Sequence, residues 1–400
     1  METDPDFPEE PTLNNWCHHS DNHSLGAMTD HTWTRRGVVT TLAAAAMGTP
    51  FLPRGRSRSG ANEGDVVLRF TSHVSRSHGF YPYVFTPFFQ IVEEETQGRL
   101  RIEPMMDGLL HGALDGFKAS VTGLTDYTHG YTTYQPGSFH LMHGLQLPFI
   151  FPDSPVASLV AEELYPRFFK EEYEAMGVYL ATCDSTSPYQ VISRDPVLTL
   201  EDLDSLKIRT TGGIVAEIYR ELGAVPVVMA AAEVYPALQR GIIDAVSLGV
   251  PDIASYRLQE IGKFLTRVNL NVTVLQYCLN PRSFDELPED IRETFYRLLR
   301  VRSQMAAQDY YSGPREEASY DALRAGGCEV LDLEPAERER WREALVPLRE
   351  RFISENEAQG RPAREMLAEM EALSAKYSAL SRAEIRRKVV DDPVMGIIDL

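Results

Sequence analysis

Glu233-Val234-Tyr235-Pro236-Ala237-Leu238-Gln239-Arg240-Gly241-Ile242-Ile243-Asp244 predicts a helix, a stop and the start of a short strand. Pro236 fits only a first helical turn, where its missing N–H has no partner to lose, and Gly241 supplies the stop. Earlier in the chain, Gly123-Leu124-Thr125-Asp126 closes another helical stretch in the same way. Two copies of one helix, glycine, strand, aspartate unit predict two related lobes of an α/β architecture.

Working outward, short apolar runs alternate with helical ones from Asp65 onward. Val66 to Phe70 reads as a strand. Phe85, Phe88, Phe89 and Val92 then stand at helical spacing within 82–97, with Gly98 as the stop. Leu100 and Ile102 begin a second strand, and 177–182, 190–193, 207–210 and 225–229 read as further strands. Ile214, Val215, Ile218, Tyr219 and Leu222 form a helix face closed by Gly223. Val268, Leu270, Val272 and Val274 alternate within 267–280, a stretch too long for one typical strand and suited to crossing between lobes. Beyond it, 288–311 reads as helix and 329–333 as strand. Residues 335–356 and 362–377 are long charged helices, fit to brace the lobes or to pack on a partner chain.

Composition narrows the function. The 400 residues are 43% hydrophobic and 24% charged, with a formal charge of -19, so nucleic acid is not an expected partner. An acidic protein that captures an anion must do so with a few local donors, which directs attention to single buried arginines. Four cysteines, Cys17, Cys183, Cys278 and Cys328, show no metal-site spacing. A pairing of Cys183 with Cys278 is conceivable, and neither a metal nor a cofactor is expected.

The first 62 residues read as a leader. Thr34-Arg35-Arg36-Gly37-Val38-Val39 runs into Thr40-Thr41-Leu42-Ala43-Ala44-Ala45-Ala46-Met47, a basic pair followed by small apolar residues, the layout of a twin-arginine export signal. Pro50, Pro53 and the Gly/Arg/Ser-rich run 54–60 then resemble a cleavable linker. Residues 1–27, acidic and carrying His18, His19 and His23, are unusual for such a leader, and a start at Met28 would give it an ordinary shape.

Three segments together resemble the DctP-type substrate-binding subunits of tripartite ATP-independent periplasmic (TRAP) transporters. They are Leu200-Glu201-Asp202-Leu203-Asp204-Ser205-Leu206-Lys207-Ile208-Arg209, Leu222-Gly223-Ala224-Val225-Pro226-Val227, and the 233–244 stretch, in matching order and spacing. Leu147 to Phe151 and 279–290 match more loosely. The resemblance implies a two-lobed periplasmic-binding-protein-like fold with crossing hinge strands near 185–190 and 268–275, and long C-terminal helices. It also implies a small carboxylate ligand, membrane permease subunits as partners and a periplasmic location. On it, Arg209 grips the carboxylate, whereas the alternative is a surface arginine paired with Glu201 or Asp202. Some members carry a second arginine where this chain has Ser187-Pro188-Tyr189-Gln190, and where Gly is common this chain has Ser205.

Further candidate contacts are Ser72 and His73 after the first strand, Tyr131 and Tyr134 after Asp126, Tyr189 with Gln190 near the crossover, and Ser247. The expected organisation is leader 1–62, first lobe 63–187, second lobe 188–268, a crossing strand and return to the first lobe 269–350, and a helical extension 351–400. A sensor receptor would use the same cleft. An enzyme would draw on His73, His78, Asp126, His129, His140 and His143, but no spacing among them matches a metal or triad motif. Replacing Arg35 and Arg36 by Lys is expected to hold precursor in the cytoplasm, measured by cell fractionation; undiminished export would remove the twin-arginine assignment.

Overall fold

The computed structural model describes Leu13, Trp16 and residues 65–400. The twin-arginine pair, Cys17 and the three leader histidines lie outside the described residues. Trp16 packs on the body, its Nε1 donating to Asp309 Oδ2 at 2.8 Å.

Eleven strands among the described residues form two sheets. In the first sheet, β1 (Val66–Thr71), β2 (Leu100–Met105) and β3 (Tyr127–Tyr131) are parallel, and β10 (Val274–Leu279) enters antiparallel between β3 and β4 (Tyr179–Ser185), giving the order β2-β1-β3-β10-β4. In the second, β6 (Lys207–Thr210), β7 (Val225–Val228) and β8 (Ala245–Leu248) are parallel. Here β5 (Gln190–Ser193) enters antiparallel between β8 and β9 (Phe264–Arg267), and β11 (Glu329–Asp332) completes the order β11-β9-β5-β8-β6-β7.

Two stretches differ from the sequence expectation. The alternating run 267–280 is two strands, β9 ending at Arg267 and β10 starting at Val274, joined by a crossing segment. The 269–350 stretch does not simply return to the first lobe, because β11 pairs with β9 in the second sheet. Cys183 and Cys278 are buried and unbonded; on the paired strands β4 and β10, Cys183 lies opposite Gln276 and Cys278 opposite Leu180, so the two are out of register.

The chain crosses between sheets twice as an antiparallel pair, β4 into β5 and β9 into β10. Thr186 N donates to Thr273 O at 3.0 Å, Tyr189 N to Asn271 O at 2.7 Å and Leu270 N to Tyr189 O at 3.1 Å. A third crossing follows the helix Glu289–Met305 through the wider turn Ala306–Tyr310 into the helix Gly313–Ala325. Helices Pro335–Ala344, Val346–Glu357 and Ala363–Tyr377 brace both lobes. Met366 and Phe352 close so tightly over Gly144 that a Cβ there would meet them at 2.7 and 2.8 Å, while Arg351 reaches Glu221 of the second lobe at 2.7 Å and Glu337 accepts from Leu200 N at 2.7 Å.

The repeated unit seen in the sequence has one structural meaning. Asp126 Oδ2 accepts from Arg69 N of β1 at 2.9 Å, while its own N–H donates to Arg69 O. Asp244 Oδ2 accepts from Lys207 N of β6 at 3.1 Å, while its N–H donates to Lys207 O. Each aspartate fixes the register of a parallel pair, β1 with β3 and β6 with β8. Ser205, where glycine is common in the resembling family, has φ +61°, a left-handed conformation that glycine adopts without steric cost. Asp126→Ala would strand Arg69 N and Ser283 Oγ, which donates to Oδ1 at 2.7 Å, and is expected to cost about 1–3 kcal/mol. The loss should appear as a lower urea midpoint at unchanged slope; an unchanged midpoint would make the echo a coincidence.

Candidate functional site

Four parallel strands, two from each sheet, end at the same cleft. β1 runs into Ser72 and His73, β3 into the turn Thr132–Tyr134, β6 into Thr211-Gly212-Gly213, and β8 into Gly249 and the helix Val250–Ser255. Carboxyl ends of parallel strands are where open α/β sheets bind ligands. The lobes touch across this cleft. Gly212 has φ +103°, and a Cβ built on it would lie 3.3 Å from Thr133 O of the opposite lobe and 3.1 Å from Val228, so both backbone and space call for glycine.

Arg209, at the third position of β6, is fully buried. Its Nε and Nη2 donate to Met229 O at 3.1 and 2.9 Å, and Nη2 also reaches Tyr134 Oη of the first lobe at 3.3 Å. Its Nη1 is buried with no hydrogen-bond partner among the described residues. Among the described residues no carboxylate forms an ion pair with it. The surface alternative fails on geometry, because Glu201 pairs with Arg340 at 2.5 Å and Asp202 accepts from Leu198 N and Thr199 N. Two carbonyl-directed bonds fix the guanidinium plane and leave Nη1 open, and isolated buried charge of this kind is costly.

Aromatic rings wall the space around Arg209. Tyr131 lies 5.4 Å from Tyr134 and 5.7 Å from His73, between ring centroids, and His73 stacks on His129 at 5.4 Å. Burial pushes the Tyr189 phenol up, with the Arg209 guanidinium pulling the other way. Burial lowers His73, as do the neighbouring His111 and His78, so the His73 imidazole is uncharged at neutral pH. The hydroxyls of Thr133, Thr211 and Ser187 are also buried without a hydrogen-bond partner among the described residues.

The structure therefore brings Arg209, Tyr131, Tyr134, His73 and Tyr189 together. It engages the other three candidates within the scaffold. Ser72 Oγ bonds His129 Nδ1 at 2.9 Å and accepts from Val74 N. Ser247 Oγ accepts from Tyr219 Oη at 3.0 Å. Gln190 and Asn269 make a reciprocal pair, Nε2 donating to Asn269 Oδ1 at 2.6 Å and Oε1 accepting from Asn269 N at 3.0 Å, which staples the crossing segments. His140 and His143 are tied to Glu172 and to the Gln135 and Ser138 carbonyls.

Sequence reasoning missed the far side of the cleft. Asp252, in the helix after β8, is buried and accepts from Tyr310 Oη at 3.1 Å and Tyr311 Oη at 3.4 Å. His78 of the first lobe approaches it with Nε2 at 3.5 Å. Because His78 Nδ1 accepts from Phe80 N, the neutral ring carries its proton on Nε2, facing the carboxylate. Burial pushes Asp252 up to about 7, against the pull of Tyr310, Tyr311 and Arg209. The Tyr256 ring lies tilted against His78, with centroids 4.9 Å apart. The signal available was the position of Asp252 directly beyond a parallel strand.

The comparisons agree with this architecture. The family model for bacterial extracellular solute-binding protein, family 7 (DctP), matches residues 70–356. The C4-dicarboxylate-binding periplasmic protein DctP of Rhodobacter capsulatus is 26% identical over 291 residues, covering 71% of this chain and 85% of that protein. A TRAP periplasmic solute-binding protein from Bordetella bronchiseptica with bound mandelate superposes with a TM-score of 0.73 at 24% identity, covering 78% of this chain and 99% of that one. Another, from Sulfitobacter sp. NAS-14.1 with bound β-D-galacturonate, gives 0.67 at 20% identity, covering 78% and 100%. With a two-lobed α/β fold and a match over residues 70–356, the chain belongs to the DctP family of bacterial extracellular solute-binding proteins, family 7.

Proposed function

We propose that this receptor captures a small organic carboxylate between its lobes and delivers it to the membrane permease, with Arg209 as the carboxylate anchor. The observation that carries the reading is a guanidinium buried at the end of β6, held by the Met229 carbonyl, with Nη1 unpartnered among the described residues. Guanidinium and carboxylate match through two parallel charge-assisted bonds. Relatives and structural neighbours whose ligands are C4-dicarboxylates, mandelate and galacturonate support an acid as the ligand class.

Tyr134, Tyr131 and Tyr189 would contact the body of the ligand and His73 would close the wall behind it, while Ser72, Gln190 and Ser247 hold the surrounding backbone. Ligand contacts from both lobes stabilise the closed arrangement, which a membrane partner can then read. The first step is a thermal-shift screen against small acids. With a ligand in hand, Arg209→Ala and Arg209→Lys are both expected to weaken binding, because the ammonium of Lys cannot reproduce the fork. Removing one partner of a buried charge pair costs on the order of 2–5 kcal/mol, roughly 30- to 5,000-fold in affinity. Calorimetry showing a loss under threefold for Arg209→Ala would overturn the anchor.

A further inference from the structure

The cleft has two unlike poles. Arg209 supplies a cation on β6, and Asp252 supplies a buried acid just beyond the end of the neighbouring parallel strand β8. Both groups act on the Tyr256 phenol, which burial pushes up, Asp252 pushes further and Arg209 opposes. Asp252 sits where the lobes meet, bonded to Tyr310 and Tyr311 of the third crossing and facing His78 of the first lobe. An ionised carboxylate offers about four acceptor sites, and the two tyrosine hydroxyls occupy two of them.

Packing beside Asp252 is close at Gly249. Gly249 has φ -68°, a conformation any residue adopts, so its lack of a side chain is not a backbone requirement. A Cβ built there would lie 2.8 Å from Ser187 Oγ and 3.9 Å from Asp252 Oδ2. Ser187 Oγ is fully buried and has no hydrogen-bond partner among the described residues. The Ser187 hydroxyl and the Asp252 carboxylate thus border the same close-packed position at Gly249.

We infer that Asp252 reads the end of the ligand opposite its carboxylate and selects acids that carry a hydrogen-bond donor there, a hydroxyl or an ammonium, over dicarboxylates. The inference rests on the carboxylate reading of Arg209. Attraction and repulsion both contribute: Asp252 accepts from a distal donor, whereas a second carboxylate brought beside it would set two like charges in one dry site. A site built to pair a polar group also discriminates strongly against analogues lacking it.

Two matched series test this by calorimetry at pH 8: butyrate, 4-hydroxybutyrate, 4-aminobutyrate and succinate; and benzoate, 3-hydroxybenzoate, 3-aminomethylbenzoate and benzene-1,3-dicarboxylate. In the series that fits, a donor-bearing acid is expected to bind the wild type at least about tenfold more tightly than both its plain and its dicarboxylate counterparts. Asp252→Asn, nearly isosteric, is expected to bring the dicarboxylate to within about threefold of the donor-bearing acid. A dicarboxylate that binds the wild type as tightly as the donor-bearing acids overturns the inference, as does an unchanged ranking in Asp252→Asn. The wild-type ranking needs no variant to fold. If acids bind through Arg209 but unsorted, only the role of Asp252 fails; if no acid binds, or Arg209→Ala binds as wild type does, the carboxylate reading fails and takes this inference with it.

Discussion

Two antiparallel segments, 186–189 and 268–273, carry the chain between lobes side by side, and the rest of the structure depends on their pairing. The bonds between Thr186 and Thr273 and between Tyr189, Asn271 and Leu270 make β4-β5 and β9-β10 one continuous ribbon through both sheets. Each bond contributes only about 1 kcal/mol, but together they fix where each sheet receives its antiparallel strand. That insertion leaves the parallel strands β1, β3, β6 and β8 with their carboxyl ends at one shared cleft. A joint made of a few backbone bonds can bend while the two packed sheets stay rigid.

Charge is treated differently in the scaffold and in the cleft. In the first lobe, Arg302 pairs with Asp184 at 2.5 Å and lies 3.5 Å over the Tyr277 ring, and Arg300 pairs with Glu162 at 3.0 Å. Burial pushes Glu162 up to about 7 and Asp184 up to about 6, with Arg300 and Arg302 respectively opposing it. These arginines have carboxylate partners inside the protein. Arg209, equally buried, is held by a carbonyl and a phenol instead, which orients the cation without neutralising it. The contrast separates arginines that have an internal carboxylate partner from one that, among the described residues, has none.

Much of this was legible in the chain because it depends on local pattern. Helix stops at glycines, the alternation of strand and helix, and the paired Gly-x-x-Asp units all survive in the structure, and the aspartates prove to be register pins. Arg209 stood out because no packing argument required a cation just before Thr210-Thr211-Gly212-Gly213. What escaped depends on tertiary placement. Nothing local shows that Ser72 turns to His129, that Ser247 meets Tyr219, or that Gln190 is spent on Asn269. Asp252 and Tyr310 are 58 residues apart, and the helical pattern around each gives no sign that they meet. The run 267–280 misled because a crossing segment keeps the apolar alternation of the strands it joins.

The insertion of β10 between β3 and β4 has a consequence for biosynthesis. Until residues 274–279 have emerged, β3 has no partner on that side and β4 has none at all in its sheet. The first sheet is therefore still incomplete when most of the second has been made: nascent chain presents unpaired edges on β3 and β4 while β5 to β9 are being synthesised. Unpaired edges are templates for misassociation. A chain wired this way gains from a cellular route that leaves it time to finish before it has to move.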